Sequence, residues 1–259
     1  MRVISPCVII AVLVLYGTLS GHQIHEGRGF KNLGLDEKTG RTINLDAAFI
    51  DEEGRAVTMR AALTRPTLLL PIYYRCTDSC GMMLGDLASS LNDVSLTPGK
   101  DYNVLALSID AEDTPAIARR TRDNYSRILK KDFPPGSWRY LTGTGTNILL
   151  LTDSLGFKFV KTAPHTFVHP NALIVLGKDG TVIRYLYGPL FLPFDISMAL
   201  TEAERGTPSL SIRKVASYCF TYDPKKKTYG FSAVRYIGAG VLVILGIILF
   251  LVLRKKESR

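Results

Sequence analysis

Two cysteines four residues apart, Cys76 and Cys80, lie in the stretch Tyr73-Tyr74-Arg75-Cys76-Thr77-Asp78-Ser79-Cys80. Four residues make about one helical turn, so even a partly helical stretch points both sulfurs the same way, near enough to share a metal ion or to bond. Both chemistries run through the thiolate. A helix N-terminus beside the pair would favour that form, because it offers unpaired N–H groups and a positive dipole end. His169, directly before Pro170 and an apolar run, is the third candidate. Two thiolates and an imidazole make a soft set that suits Cu(I), tolerates Cu(II) and could also hold zinc.

The elements that must position these residues follow from periodicity. Residues 67–73 form a continuous apolar run and predict a buried strand, while Met83, Leu84, Leu87 and Leu91 mark one face of a helix. The cysteines thus sit on a strand-to-helix turn. Pro71 cannot donate to a ladder, so a bulge or an unpaired N–H side is expected there. Residues 102–109 predict a second buried strand, and Asp113-Thr114-Pro115 opens a helix over 116–129, with Asp or Thr as cap. A brief strand over 138–141, a flexible Gly143-Thr144-Gly145-Thr146, a helix over 147–155 and a short strand over 157–160 follow. Residues 171–176 and 181–187 form a hairpin around Lys178-Asp179-Gly180, and a last helix over 194–203 ends at Gly206. Upstream, 43–49 and 56–59 read as a short hairpin. This order is that of an α/β, thioredoxin-like domain with an N-terminal hairpin extension. In that layout the loop bearing His169 lies against the cysteine turn.

The 259 residues, 46% apolar, suffice for one good-sized domain with extras. The net charge of +9 is spread out, without interleaved aromatics or a nucleic-acid module, which excludes nucleic acid as a partner. Residues 1–20 have the layout of a signal peptide, and 21–34, with His22 and His25, read as a flexible arm. The domain proper is expected over 35–206, a linker over 207–232, a C-terminal transmembrane helix over 233–254 and a cytoplasmic tail over 255–259. The uncharged run 237–253 would span about 26 Å as a helix. Arg254, Lys255, Lys256 and Arg259 beyond it put the C-terminus in the cytoplasm and the domain on the extracytoplasmic, periplasmic side of the cell membrane. With Cys7 removed in the leader, Cys76, Cys80 and a lone Cys219 remain in an oxidising compartment. So sparse and odd a set points to a functional thiol pair, with Cys219 as a small buried hydrophobe.

The chain resembles the SCO/SenC family, thioredoxin-fold copper proteins that help to build the dinuclear copper centre of cytochrome c oxidase. The matching blocks are the cysteine stretch itself, Ser108-Ile109-Asp110-Ala111-Glu112-Asp113-Thr114-Pro115, Trp138-Arg139-Tyr140-Leu141-Thr142-Gly143, and Phe167-Val168-His169 through Gly180. The resemblance implies copper as the metal, Cys76 and Cys80 as thiolate ligands and His169 as the imidazole ligand. It places Asp78 on an acidic position common between the cysteines. It implies a membrane-anchored chaperone whose partner is the copper-bearing oxidase subunit, or alternatively a thiol-disulfide oxidoreductase in which Cys76 attacks and Cys80 resolves. The chain departs from the family in having Thr77 where members commonly have proline, in its C-terminal rather than N-terminal membrane segment, and in His165, a second histidine close to His169 that could be the ligand instead, although the spacing to Gly180 favours His169.

Overall fold

The computed structural model describes residues 33–76, 79–211, 221–223, 228–230 and 244–246. The expected leader, nearly all of the arm, Thr77, Asp78, Cys219, parts of the linker and the expected cytoplasmic tail lie outside these residues. So does the run 237–253, apart from the helical Ile244, Leu245 and Gly246; among the described residues no helix is long and apolar enough to cross a membrane. The chain divides into two compact units, Phe30–Tyr218 and a second made of Met1–Gly29 with Cys219–Arg259. In the second, the strands Thr221–Asp223 and Thr228–Gly230 pair antiparallel.

The first unit is built on a five-stranded sheet. Its strands are β4 (Thr67–Ile72), β5 (Asn103–Ser108), β6 (Trp138–Leu141), β10 (Ala172–Leu176) and β11 (Val182–Tyr187), in the order β11-β10-β4-β5-β6. β4, β5 and β6 are mutually parallel, and β10 runs antiparallel to both β4 and β11. Leu68, Leu69, Leu70 and Ile72 of β4 are fully buried, as a central strand covered on both faces requires. Each such side chain contributes about 1.5–3 kcal/mol through removal from water. Pro71 is accommodated because β10 pairs only with Thr67, Leu68 and Leu69, so the side lacking an N–H falls beyond that ladder.

Four helices pack around the sheet: α2 (Ser79–Leu91), α3 (Pro115–Ser126), α4 (Gly145–Ser154) and α5 (Pro193–Arg205), besides the single turn α1 (Met59–Ala62). α2 buries Cys80, Met83, Leu84, Leu87 and Leu91 and packs beside α3; α5 lies over β4, β10 and β11. Thr114, not Asp113, caps α3, its Oγ1 accepting from Ile117 N. α4 starts two residues before the expected 147, because Thr144 Oγ1 accepts from Asn147 N and turns the glycine stretch into a helix start.

Upstream, β2 (Ala48–Ile50) pairs with β3 (Ala56–Thr58), a shorter first arm than the expected 43–49. Residues 42 and 43 are engaged elsewhere: Thr42 bridges Thr181, and Ile43 N bonds to Gly180 O. The expected strand 157–160 is two separate pieces. β7 (Phe157–Lys158) pairs with β1 (Gly34–Leu35), and β8 (Val160–Ala163) forms a hairpin with β9 (Thr166–Val168). β1 is held by Asp36 N donating to Gly156 O at 2.8 Å, with Gly156 at φ +63°. A Cβ on Gly156 would stand 1.8 Å from the Asp36 carbonyl oxygen. Gly156→Ala is therefore expected to destabilise the domain by about 2–4 kcal/mol, seen as a lower urea midpoint at unchanged slope.

Candidate metal centre

The cysteine turn begins where β4 ends. Cys76 N bonds back to Tyr73 O at 3.3 Å, and the Tyr74 hydroxyl reaches the carbonyls of Ala106 and Leu141, both at 2.9 Å, tying the turn to the ends of β5 and β6. Cys76 is half-buried, and Cys80, in the first turn of α2, is buried. The two thiols and the Tyr73 hydroxyl lie close enough to influence one another's protonation.

His169, entering β10, meets this turn. Its Nε2 lies 3.2 Å from Cys80 Sγ, and its Nδ1 lies 3.0 Å from Pro170 O. A carbonyl can only accept, so Nδ1 carries the proton and the Nε2 lone pair faces the thiol. Tyr73 stands edge-on to the imidazole at 5.9 Å and Phe157 lies 6.0 Å away, so aromatic rings flank the histidine. Burial lowers the pKa of His169 and keeps the ring neutral. Burial, reinforced by the bond to Cys76, pushes the Cys80 thiol well up. The thiolate expected from the helix N-terminus is thus overruled: desolvation of a buried sulfur outweighs the dipole. Two thiols and a lone-pair-bearing imidazole nitrogen still suit a soft metal ion, which would displace the thiol protons on binding.

His165 does something different. It sits at the tip of the β8–β9 hairpin with φ +52°, its Nδ1 2.7 Å from Asp110 Oδ2 and its Nε2 2.7 Å from Arg75 Nη1. Asp110, Glu112 and His165 are a group whose ligand atoms lie within 4.8 Å of one another. Both ring nitrogens are already engaged, however, and a guanidinium occupies the approach, which disfavours a cation. The arrangement instead grips Arg75, the residue before Cys76: Nε pairs with Asp113 Oδ1 at 3.2 Å and Nη2 donates to Glu112 O at 3.2 Å. Asp113 is buried and also accepts from Tyr74 N at 2.9 Å and Ser108 Oγ at 2.7 Å. The sequence offers Asp113 or Thr114 as the helix cap and His165 as an alternative ligand; Thr114 takes the cap, and Asp113 and His165 anchor the cysteine turn. Asp78, offered as an acidic companion to the cysteines, lies outside the described residues.

The profile of the SCO1/SenC family matches residues 36–190, which include both thiols, His169 and the whole sheet. The chain belongs to the SCO1/SenC family. Among solved structures, a candidate electron transfer protein from Aquifex aeolicus VF5 is 26% identical, with a TM-score of 0.59 over 66% of this chain and 96% of that one. Arabidopsis thaliana ScoI, solved with copper bound, is 18% identical with a TM-score of 0.52, covering 65% of this chain and 99% of that one. Yeast Sco1 with copper bound is 18% identical with a TM-score of 0.50, covering 70% and 94%. These last two share the thioredoxin-like fold of the SCO1/SenC family. No curated protein sequence matches the chain.

Proposed function

We propose that the chain is a membrane-anchored copper chaperone in which Cys76, Cys80 and His169 hold copper as cargo and deliver it to the copper-bearing subunit of cytochrome c oxidase. The observation that supports this reading most is the 3.2 Å approach of His169 Nε2 to Cys80 Sγ with the other ring nitrogen fixed as donor. A thiol paired with an imidazole lone pair is a ready half of a ligand set, and the half-buried Cys76 completes it from the side open to an acceptor. Delivery then proceeds by exchange, with the acceptor's ligands replacing Cys76, Cys80 and His169 one at a time. Because Cys80 binds its proton tightly and must lose it, copper affinity falls as the pH is lowered. The signal peptide over 1–20 and a membrane helix over 233–254 would hold the domain outside the cytoplasm, in the same membrane as its acceptor, which raises the effective concentration of the pair.

A second reading is a thiol-disulfide oxidoreductase that reduces the acceptor's cysteines, favoured by the greater exposure of Cys76 than of Cys80. Cys76 thiolate would attack an acceptor disulfide and release one acceptor thiolate. Cys80 would then displace the second, leaving a Cys76–Cys80 disulfide and two reduced acceptor thiols. Copper loading separates the readings. The reduced protein, loaded with Cu(I) and desalted, is expected to keep one copper per chain, and Cys76→Ser or Cys80→Ser to keep none; a wild type that retains no copper overturns the chaperone. His165→Ala is expected to keep its copper at wild-type stoichiometry, because that ring is engaged by Arg75 and Asp110. Loss of the metal in His165→Ala but not in Arg75→Ala, which removes the same anchor and keeps the imidazole, would make His165 the ligand.

A further inference from the structure

Four large apolar side chains stand in water on the helix that follows the cysteine turn and on the segment pinned to it: Met82 is 57% exposed, Leu190 63%, Leu192 64% and Phe194 74%. Met82 lies two residues past Cys80 and one helical turn before Asp86, so Met82 and Asp86 share a face of α2. Asp86 Oδ2 accepts from Phe191 N at 2.6 Å, and Ser90 Oγ donates to Phe191 O at 2.6 Å. The segment after β11 is thereby pinned to α2, with Phe191 buried and its apolar neighbours turned outward. At its start Gly188 N bonds to Asn171 O at 2.9 Å, two residues from His169. The strip therefore runs from the helix that carries one candidate ligand to the loop that carries another. Leu190 and Leu192 also line a groove of about 550 Å³ together with Tyr187 and Asp195.

The charge around the strip is one-sided. Residues 76–99 contain Asp78, Asp86 and Asp93 and no lysine or arginine; residues 185–204 contain Asp195, Glu202 and Glu204 and again none, in a chain of net charge +9. Arg184, which borders the groove, is neutralised by Glu202 at 2.8 Å. Apolar side chains exposed together in this way mark an interaction site. An anionic bilayer surface attracts lysine and arginine, which this face lacks. A metal held by Cys76 and Cys80 can leave only to ligands brought into contact with it, so the surface beside the turn is covered whenever exchange occurs.

We propose that this strip docks the protein that exchanges copper with the Cys76, Cys80 and His169 site, a partner presenting an apolar patch rimmed by lysine or arginine around its own thiol or imidazole ligands. The inference rests on the chaperone reading and names the surface by which it chooses its partner. Met82, Leu190, Leu192 and Phe194 fill the partner's apolar patch, and Asp86 and Asp195 face its cations.

The test uses the full chain in zwitterionic nanodiscs, loaded with Cu(I), and a double variant, Leu192→Ser with Phe194→Ser, both at exposed positions. Transfer is followed to the copper-free soluble domain of the copper-bearing oxidase subunit and, separately, to the small chelator bathocuproine disulfonate. The double variant is expected to slow transfer to the protein by about tenfold or more with the chelator rate unchanged. Asp195→Lys should slow it too, and added salt should slow the wild type. Equal transfer to the protein by wild type and double variant overturns the proposal, as does a loss shared by protein and chelator, which would mean that the metal site itself was disturbed. Should the wild type hold no copper, the chaperone reading fails separately. Binding to the metal-free domain by titration calorimetry then decides the docking, equal affinity of wild type and double variant overturning it.

Discussion

His169→Ala is expected to lower Cu(I) affinity by more than about 100-fold while leaving the fold intact. Loss of an outer partner of a metal ligand already costs roughly 10–100-fold, so removal of the ligand itself should exceed that. The affinity should fall rather than vanish, because Cys76 and Cys80 remain within reach of each other and two thiolates still bind a soft ion. The fold should survive because, among the described residues, the polar contacts of the imidazole are few: Nδ1 bonds to the neighbouring Pro170 carbonyl, and Nε2 faces the thiol. Competition against a Cu(I) chelator at fixed pH gives the affinity, and a thermal melt of the metal-free protein gives the control. An unchanged affinity would remove His169 from the site.

The second large effect lies in the support of the turn rather than in the ligands. Asp113→Ala leaves Tyr74 N and Ser108 Oγ without their buried acceptor and Arg75 without its carboxylate. Breaking a buried ion pair from one side costs about 3–5 kcal/mol; Arg75 is about one-third exposed and can turn to water, so about 2–4 kcal/mol is expected here. Chemical denaturation measures this, and copper affinity should fall with it, since Arg75 immediately precedes Cys76. The pH dependence has an unusual sign for a carboxyl group. Burial is the largest influence on Asp113 and raises its pKa above the ordinary 3.8, against the opposing bonds from Ser108 and Tyr74 and the charge of Arg75. A raised folded-state pKa favours the fold fully below 3.8, and that contribution is lost as the pH rises through the raised value. The stability of the wild type relative to the non-titrating Asp113→Asn should therefore fall as the pH is raised across that window. A constant difference would show that burial does not control the group.

The parts of the domain readable from local pattern were the continuous apolar strands, the helix face Met83, Leu84, Leu87 and Leu91, and the hairpin closed at Gly180, each of which has a period or a turn residue of its own. The thiol pair was readable from spacing, and His169 from its place before Pro170 and an apolar strand. What escaped depends on distant partners. Asp113 and Thr114 are both good caps, and the contacts with Tyr74, thirty-nine residues away, with Arg75 and with Ser108 turn the aspartate inward. The β8–β9 hairpin has little buried alternation, with Phe167 alone buried on its second strand, so it carried no signal. The protonation of Cys80 was misjudged because a helix N-terminus is visible in sequence and burial is not. Thr77, Asp78, Cys219 and most of the expected membrane helix lie among residues the structure leaves undescribed.

The measurement that tests the central claim most directly is X-ray absorption at the copper edge on the Cu(I)-loaded wild type and His169→Ala. Cys76, Cys80 and His169 predict a shell of two sulfurs and one nitrogen in the wild type and loss of the nitrogen in the variant. A wild-type shell without nitrogen, or one that His169→Ala leaves unchanged, would contradict the assignment of these three residues to copper.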